Sequence, residues 1–258
     1  MRQIYPEPAD LDDQELTGRY RPPDHAVAGP WLRANMVTSL DGAAALGGRT
    51  GGLSGDADRQ VFAMLRALAD VILVGAETAR VEGYRPVKPR TEGARWAWLR
   101  AGRAPSPPIA VVTRRLDLAL DSPLLAASPA HAKTIVITTE AAPPERRAAA
   151  AAAADVIVAG QHSVDVRAAV GALAGRGHRQ ILTEGGPYLL NQIIEAGLLD
   201  ELCLTISPLL AGPGASRIVA GPGPLAPPGG GASVHELRLA HVLAGDGHLL
   251  CRYLRETT

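Results

Sequence analysis

Cysteine is almost missing from this sequence, and what little there is narrows the chemistry. Cys203 and Cys251 alone can build neither a disulfide framework nor a four-thiolate zinc site. Both lie in apolar runs, so they are expected as small core residues of strands. Aromatic residues make up only 3%, which leaves the core to Ala, Val, Leu and Ile. Lysine is scarcer still: of 26 basic residues only Lys88 and Lys133 are lysines, so arginine would do nearly all of any phosphate recognition. No excess of either charge exists, with 26 acidic residues against 26 basic. That removes the electrostatic reason to expect a nucleic-acid or membrane-surface partner. No run approaches the roughly 18 apolar residues of a bilayer span. Residues 1–8 lack the apolar stretch of a signal peptide. A cytoplasmic protein is expected.

Common site patterns are absent too. The sequence has no G-x-x-x-x-G-K-[ST] phosphate loop, no G-x-S-x-G elbow and no H-E-x-x-H zinc helix. It has no G-x-G-x-x-G of the Rossmann type and no H-x-E with P-C-x-x-C of the zinc deaminases. His178, His235, His241 and His248 show no ligand spacing, and solvated or locally hydrogen-bonded rings are expected. No metal site is expected.

What is present is 258 residues, 47% of them hydrophobic, enough for a substantial core. Residues 1–30, rich in Pro and charge, read as an N-terminal arm; 31–258 read as one domain. Short apolar runs then alternate with helical patterns. Strands are expected at Trp31–Val37, Val71–Gly75, Ile109–Thr113, Thr134–Thr138, Asp155–Val158, Gln180–Glu184, Glu201–Ser207, Val234–Leu239 and Leu249–Leu254. Val71-Ile-Leu-Val74 and Ile135-Val-Ile137 are continuously apolar, as in strands covered on both faces. Ser54 is read as the N-cap of a helix whose Val61, Met64, Leu65 and Leu68 share one face. Further helices are expected at Pro144–Ala154, Val164–Ala174 and Pro187–Ala196. The first of these contains the run Ala148–Ala154, alanine being the best helix former. The alternation argues α/β.

Three segments carry chemistry. Arg33–Ala43 ends a strand in Ser39-Leu-Asp-Gly42, and the glycines 47, 48, 51 and 52 follow; glycine admits close backbone approach to a ring or phosphate, while a plain turn with Asp41 in an Asx-turn is the competing reading. Asp70–Arg80 runs a buried strand into Gly75-Ala-Glu-Thr78 and a helix start, whose free N–H groups suit a phosphate or amide. Gln180–Leu190 ends a strand in Glu184-Gly185-Gly186 with Pro187 as first helical residue. Paired glycines there can cradle a pyrophosphate, and Glu184 is a carboxylate at a strand's carboxyl end, where α/β sheets bind ligands; it could instead cap the next helix.

Together these segments, with Leu65-Arg66-Ala67, Gly75-x-x-Thr78 and Leu198-Leu-Asp-Glu-Leu202, resemble the riboflavin-biosynthesis pyrimidine reductase family over roughly residues 30–255. That family is the reductase half of a bifunctional deaminase/reductase, here without the deaminase. The resemblance implies a dihydrofolate-reductase-like three-layer α/β fold, with a large mixed, mostly parallel sheet and helices on both faces. It implies a homodimer and NADPH as cofactor. The reaction implied is hydride transfer to the C=N bond of an opened ribosylamino-pyrimidine phosphate, most simply 5-amino-6-(5-phosphoribosylamino)uracil.

By position, the resemblance assigns Thr50, Arg66 and Glu184 to substrate. To the cofactor it assigns Gly52, Gly75, Thr78 and Glu82, then Gly185, Gly186, Pro187, Tyr188 and Leu189. Thr113 and Arg114 follow the strand from Ile109 where the adenosine end should lie, and Arg114-Arg115 could grip a 2′-phosphate. Asp41 and Glu184 are the candidate catalytic residues, and the proton donor is open among Asp41, Glu82, Glu184 and water. A second phosphate-gripping residue is open among Arg85, Lys88 and Arg90, because prolines blur the register. Dihydrofolate reduction on the same scaffold is one rival reading, and a non-catalytic NADPH-binding protein another.

Overall fold

The computed structural model describes residues 1–23, 29–89, 91, 95–221 and 235–256. In chain order its first elements are β1 (Arg2–Tyr5), β2 (Ala9–Asp10), α1 (Asp13–Arg19), β3 (Trp31–Thr38), α2 (Asp56–Leu68), β4 (Val71–Gly75) and α3 (Ala76–Val81). Then come β5 (Ile109–Val112), α4 (Pro123–Ala126), β6 (Ile135–Thr138), α5 (Pro144–Ala153), β7 (Asp155–Val158), α6 (Val166–Gly175) and β8 (Gln180–Thr183). Last are α7 (Pro187–Glu195), β9 (Glu201–Ile206), β10 (Leu237–Gly245) and β11 (His248–Arg255). Two compact units result. Described residues within 1–27, 31–64 and 184–258 form the first, and those within 28–30 and 65–183 the second.

The second unit is a parallel sheet of order β8-β4-β5-β6-β7. In β4, β5 and β6 a short, almost wholly apolar run suffices for a strand covered on both faces, and β6 is buried throughout, whereas β7 at the sheet's edge is exposed at both ends. The alanine run forms α5, whose Ala150 packs with Val136, Leu116 and Leu125 in one apolar cluster. Asp165 caps α6 through the amides of Arg167 and Ala168. The order reverses between β4 and β8, the place at whose carboxyl edge open α/β sheets hold ligands.

The first unit has strand order β2-β1-β10-β11-β9-β3, antiparallel except for the β3–β9 pair. Here the N-terminal segment departs from a featureless arm. Asp12 and Glu15 form a reciprocal capping box on α1, and β1 pairs with β10. These pieces are too short to show periodicity; tertiary pairing makes them. The strand expected at Val234–Leu239 is instead β10, running to Gly245. A bulge between Leu239 and His241 shifts the alternation by one residue, which conceals the strand from a period-of-two reading. Val234 and the glycine loop 225–231 lie outside the described residues.

A buried charge cluster ties the N-terminal segment to this sheet. Glu201 on β9 is fully buried and accepts from Arg33 (Nε 2.7 Å, Nη2 2.9 Å), Arg252 (Nε 2.8 Å, Nη2 3.1 Å) and the Trp31 indole at 2.9 Å. The same guanidiniums donate to the carbonyls that close α1: Arg33 to Tyr20, Arg252 to Arg19 and, at 3.0 Å, Arg21. Burial alone would raise the Glu201 carboxyl, but the Arg33 and Arg252 charges hold it at about 2. His241 lies edge-on to Tyr20 at 4.9 Å, with Nε2 unpartnered among the described residues. The local hydrogen bonding expected of this ring is not found at Nε2. Burial first, then the Arg252 charge, pushes its pKa down to about 4. Cys203 and Cys251 are buried free thiols on β9 and β11, as expected.

Candidate active site

Asp41 does not make the simple local turn. Its two carboxylate oxygens accept from the amides of Ala211 and Gly212 (3.0 and 2.7 Å) and from the Ser39 hydroxyl. Ser39 Oγ in turn accepts from the Ala43 amide at 2.9 Å, and the Leu40 amide reaches the Leu209 carbonyl at 2.8 Å. The Ser39 hydroxyl, then the two amides, hold the Asp41 carboxyl at about 2. At neutral pH it is a carboxylate that clips the loop after β3 to residues 209–212.

The glycine loop that follows carries Thr50 and Gly52, both exposed. It enters α2 differently from the expected Ser54 cap. The helix starts at Asp56, the Gly55 carbonyl accepts from the Arg59 amide, and the Ser54 hydroxyl is turned to Asp58. The missing cap comes from the β10–β11 turn, where the Asp246 carboxylate accepts from the Ala57 amide at 3.0 Å. His248 completes the clamp: Nε2 lies 3.2 Å from the Leu53 carbonyl and Nδ1 3.0 Å from the Asp246 carbonyl. No sequence signal linked these residues to the loop, since the contact spans 189 positions. A Cβ on Gly55 would sit 2.4 Å from His248 Cε1. Gly55→Ala therefore displaces the ring and loosens the loop: the amides of residues 50–54 are expected to exchange with solvent about tenfold faster, measured by hydrogen exchange.

Beyond β8 the chain continues into Glu184, which is buried, and Gly185, at φ +82. Only glycine adopts that backbone cheaply, and an added Cβ would also press on Met36 at 3.4 Å. The Gly185–Gly186 peptide is cis. Gly186 is the N-cap of α7 with no side-chain cap, and Pro187 is its first residue. The first intrahelical bond runs from the Leu190 amide to the Gly186 carbonyl at 3.0 Å, so the amides of Tyr188 and Leu189 have no acceptor within the helix. The N-cap position itself falls to Gly186 and not to Glu184. Tyr188 is exposed, whereas the Leu189 side chain is buried in the helix's apolar face, so Leu189 offers a ligand its amide and not its side chain.

In the second unit, β4 ends at Gly75, and Thr78 and Glu82 sit on α3 and its C-cap; Glu82 donates its amide to the Thr78 carbonyl at 2.9 Å. Thr113 is buried beyond β5. The Arg114 carbonyl accepts from the hydroxyls of Thr138 and Thr139 (3.4 and 3.1 Å), which fixes the backbone while the side chain stays exposed. Neither Arg114 nor Arg115 has a side-chain partner among the described residues. Arg66, in the last turn of α2, lies over the Tyr84 ring at 5.5 Å. Arg85 and Lys88 are exposed, and Arg90 lies outside the described residues. Among the described residues no cluster of His, Cys, Asp and Glu could hold a metal ion, and no helix is long and apolar enough to cross a membrane.

Comparison with known proteins identifies the family. The family model described as RibD C-terminal domain matches residues 30–250. A protein of Methanothermobacter thermautotrophicus named 2,5-diamino-6-ribosylamino-4(3H)-pyrimidinone 5′-phosphate reductase is 30% identical over 71% of this chain and 80% of its own length. One of the same name from Archaeoglobus fulgidus is 29% identical, over 71% and 82%. A solved pyrimidine reductase-like protein of Corynebacterium diphtheriae is 28% identical, with a TM-score of 0.78 over 92% of this chain and 96% of that one. The expected mixed, mostly parallel α/β fold is thus the one this sequence adopts, and it is shared with that pyrimidine reductase-like protein. A family match across this much of the chain leaves one assignment: it belongs to the RibD C-terminal domain family, the pyrimidine reductases, and is an oxidoreductase.

Proposed function

We propose that this chain uses NADPH to reduce the ribosylamino side chain of an aminopyrimidinone 5′-phosphate to the ribitylamino product. When bound, NADPH would supply a hydride for the carbon of the opened C=N bond, and the proton for its nitrogen would come from Glu184 or from water. The observation that carries this is the glycine turn at α7: a buried Glu184, a positive-φ Gly185 and two amides at the helix start without intrahelical acceptors. Such a start accommodates a pyrophosphate, so the residues present fit a dinucleotide. The Arg114 and Arg115 side chains, exposed on a fixed backbone, fit a 2′-phosphate.

Roles follow from the surroundings of each group. Glu184 hydrogen-bonds the flat ring. Asp41, anionic and engaged by two amides, has no proton to give and orders the loop, so the catalytic part expected of it passes to Glu184. Thr50 and Gly52 meet substrate and cofactor from the loop held by His248. Gly75, Thr78, Glu82 and Thr113 contact the cofactor. Both curated relatives carry a 2-amino ring in their names, so the diamino compound is assayed beside the uracil compound and dihydrofolate. NADPH consumption with either ribosylamino-pyrimidine supports the reading, and turnover of dihydrofolate alone overturns it. The homodimer belongs to the same proposal, with exposed Leu40, Leu209 and Leu210 on the clipped loops as its contact; a one-chain mass in the ultracentrifuge removes it.

Two substitutions separate the partners. Arg114→Ala is expected to weaken NADPH about tenfold and leave NADH nearly unchanged, by fluorescence titration; equal losses dismiss Arg114 from the 2′-phosphate. Arg66→Ala is expected to raise the substrate KM with little change in NADPH affinity. A phosphate contact of about 2 kcal/mol corresponds to roughly thirtyfold, and a rise under about threefold argues against it.

A further inference from the structure

We infer that the second unit carries a separate site for a small phosphomonoester, in a cavity at the amino-terminal edge of its parallel sheet. The cavity measures about 440 Å³, within the size range of small-molecule sites. Its walls come from residues just before β4, β5, β6 and β8 and at the start of β7. Because these strands are all parallel, that edge is opposite the one where Gly75 ends β4 and Thr113 follows β5. None of the residues assigned to cofactor or substrate lines it.

Its charge is unbalanced. Arg100, Arg103, Lys133 and Arg176 line it against only two carboxylates, Asp70 and Asp155. Both carboxylates are already engaged. Asp70 pairs with Arg103 and accepts the amides of Arg179 and Gln180 at 2.8 and 2.7 Å, and Asp155 pairs with Lys133 at 3.3 Å. Among the described residues neither Arg100 nor Arg176 makes an ion pair, and only the charge of the already engaged Asp70 reaches Arg100. Arg100 is only 6% exposed, and its bonds go to neutral carbonyls: Nε to Ala104 at 2.8 Å, Nη1 to Ala69 at 2.6 Å and to Ala67 at 3.5 Å. Its Nη2 has no partner among the described residues. Burial, then the neighbouring Arg103 charge, pulls Arg100 down to about 10, as expected of a cation short of counter-charge.

A phosphomonoester carries about −1.5 to −2 charges, which matches this surplus, and guanidinium forks suit its oxygens. Pro108, Ala132 and Ile135 supply an apolar wall for the ester's body. His131 and His178 also line the cavity and report on it.

The test is titration of the full chain with inorganic phosphate and with phenyl phosphate at constant ionic strength, following the ring resonances of His131 and His178 by NMR. Saturable shifts of both rings are expected, with phenyl phosphate binding about fivefold tighter. Arg100→Met and Arg176→Glu are each expected to weaken phenyl phosphate about tenfold. Arg176 is exposed, so its variant keeps the test open should Arg100→Met fail to fold. Shifts that do not saturate, equal affinity for the two probes, or unchanged affinity in Arg176→Glu would each overturn the proposal.

Discussion

Glu201→Gln is expected to lower the unfolding free energy by about 3–5 kcal/mol in urea titrations, because it leaves the Arg33 and Arg252 charges buried without an anion. The damage should spread to the N-terminal segment, since those guanidiniums hold the last carbonyls of α1 only while Glu201 orients them. Protease cleavage before Trp31 should therefore rise in the variant. A loss below about 1 kcal/mol would mean that the cluster contributes nothing beyond a neutral hydrogen-bond network. Acid acts on the same place. Glu201 titrates near 2 in the folded chain against an ordinary 4.5. Its depressed value contributes stability above pH 4.5, lost as pH falls toward 2. His241, depressed to about 4 from 6.5, contributes stability above pH 6.5 that is lost down to pH 4. Wild-type stability should thus begin to decline below about pH 6.5. His241→Phe should remove the first part of that decline and leave the second.

Glu184→Gln is the second large effect, and it rests on the proposed reaction. The amide keeps the shape of the side chain but loses its charge and its capacity to exchange a proton. A kcat/KM lower by about 10² to 10³-fold is expected, with NADPH affinity within about threefold of wild type. That split matters, because Gly185 and the α7 amides lie one to five residues away and a collapsed turn would weaken the cofactor as well. A loss under about tenfold with intact cofactor binding would remove Glu184 from the reaction.

Where apolar residues follow one another, sequence and structure agree closely. The strands from Val71, Ile109 and Ile135 need only burial on two faces and the helix of alanines only helix propensity, and both are local properties; the edge strand from Asp155, exposed at both ends, is legible from its apolar run alone. The glycine turn at α7 was equally legible, because Pro187 and the glycine pair mark a helix start by their own backbone preferences. The rest depends on partners distant in the chain. Ser54 reads as a cap because serine commonly caps, yet Asp246 reached the helix start instead. Glu201 lay inside the Leu198–Leu202 motif with no hint that Arg33 and Arg252 would enclose it. Asp41 stood as a candidate acid by type, and nothing in its own stretch of sequence announced that its carboxylate would engage the amides of Ala211 and Gly212. The bulge in β10 hid the strand's continuation to Gly245, because one extra residue inverts the pattern.

The clamp on α2 bears on which lesions reach the loop of Thr50 and Gly52. Asp246 holds the Ala57 amide from 189 positions away, and His248 beside it meets the Leu53 carbonyl, so a substitution in that turn acts on the loop from outside its own stretch of sequence. Loss of the turn would leave most of the strands able to pair while the loop before α2 stood unfastened.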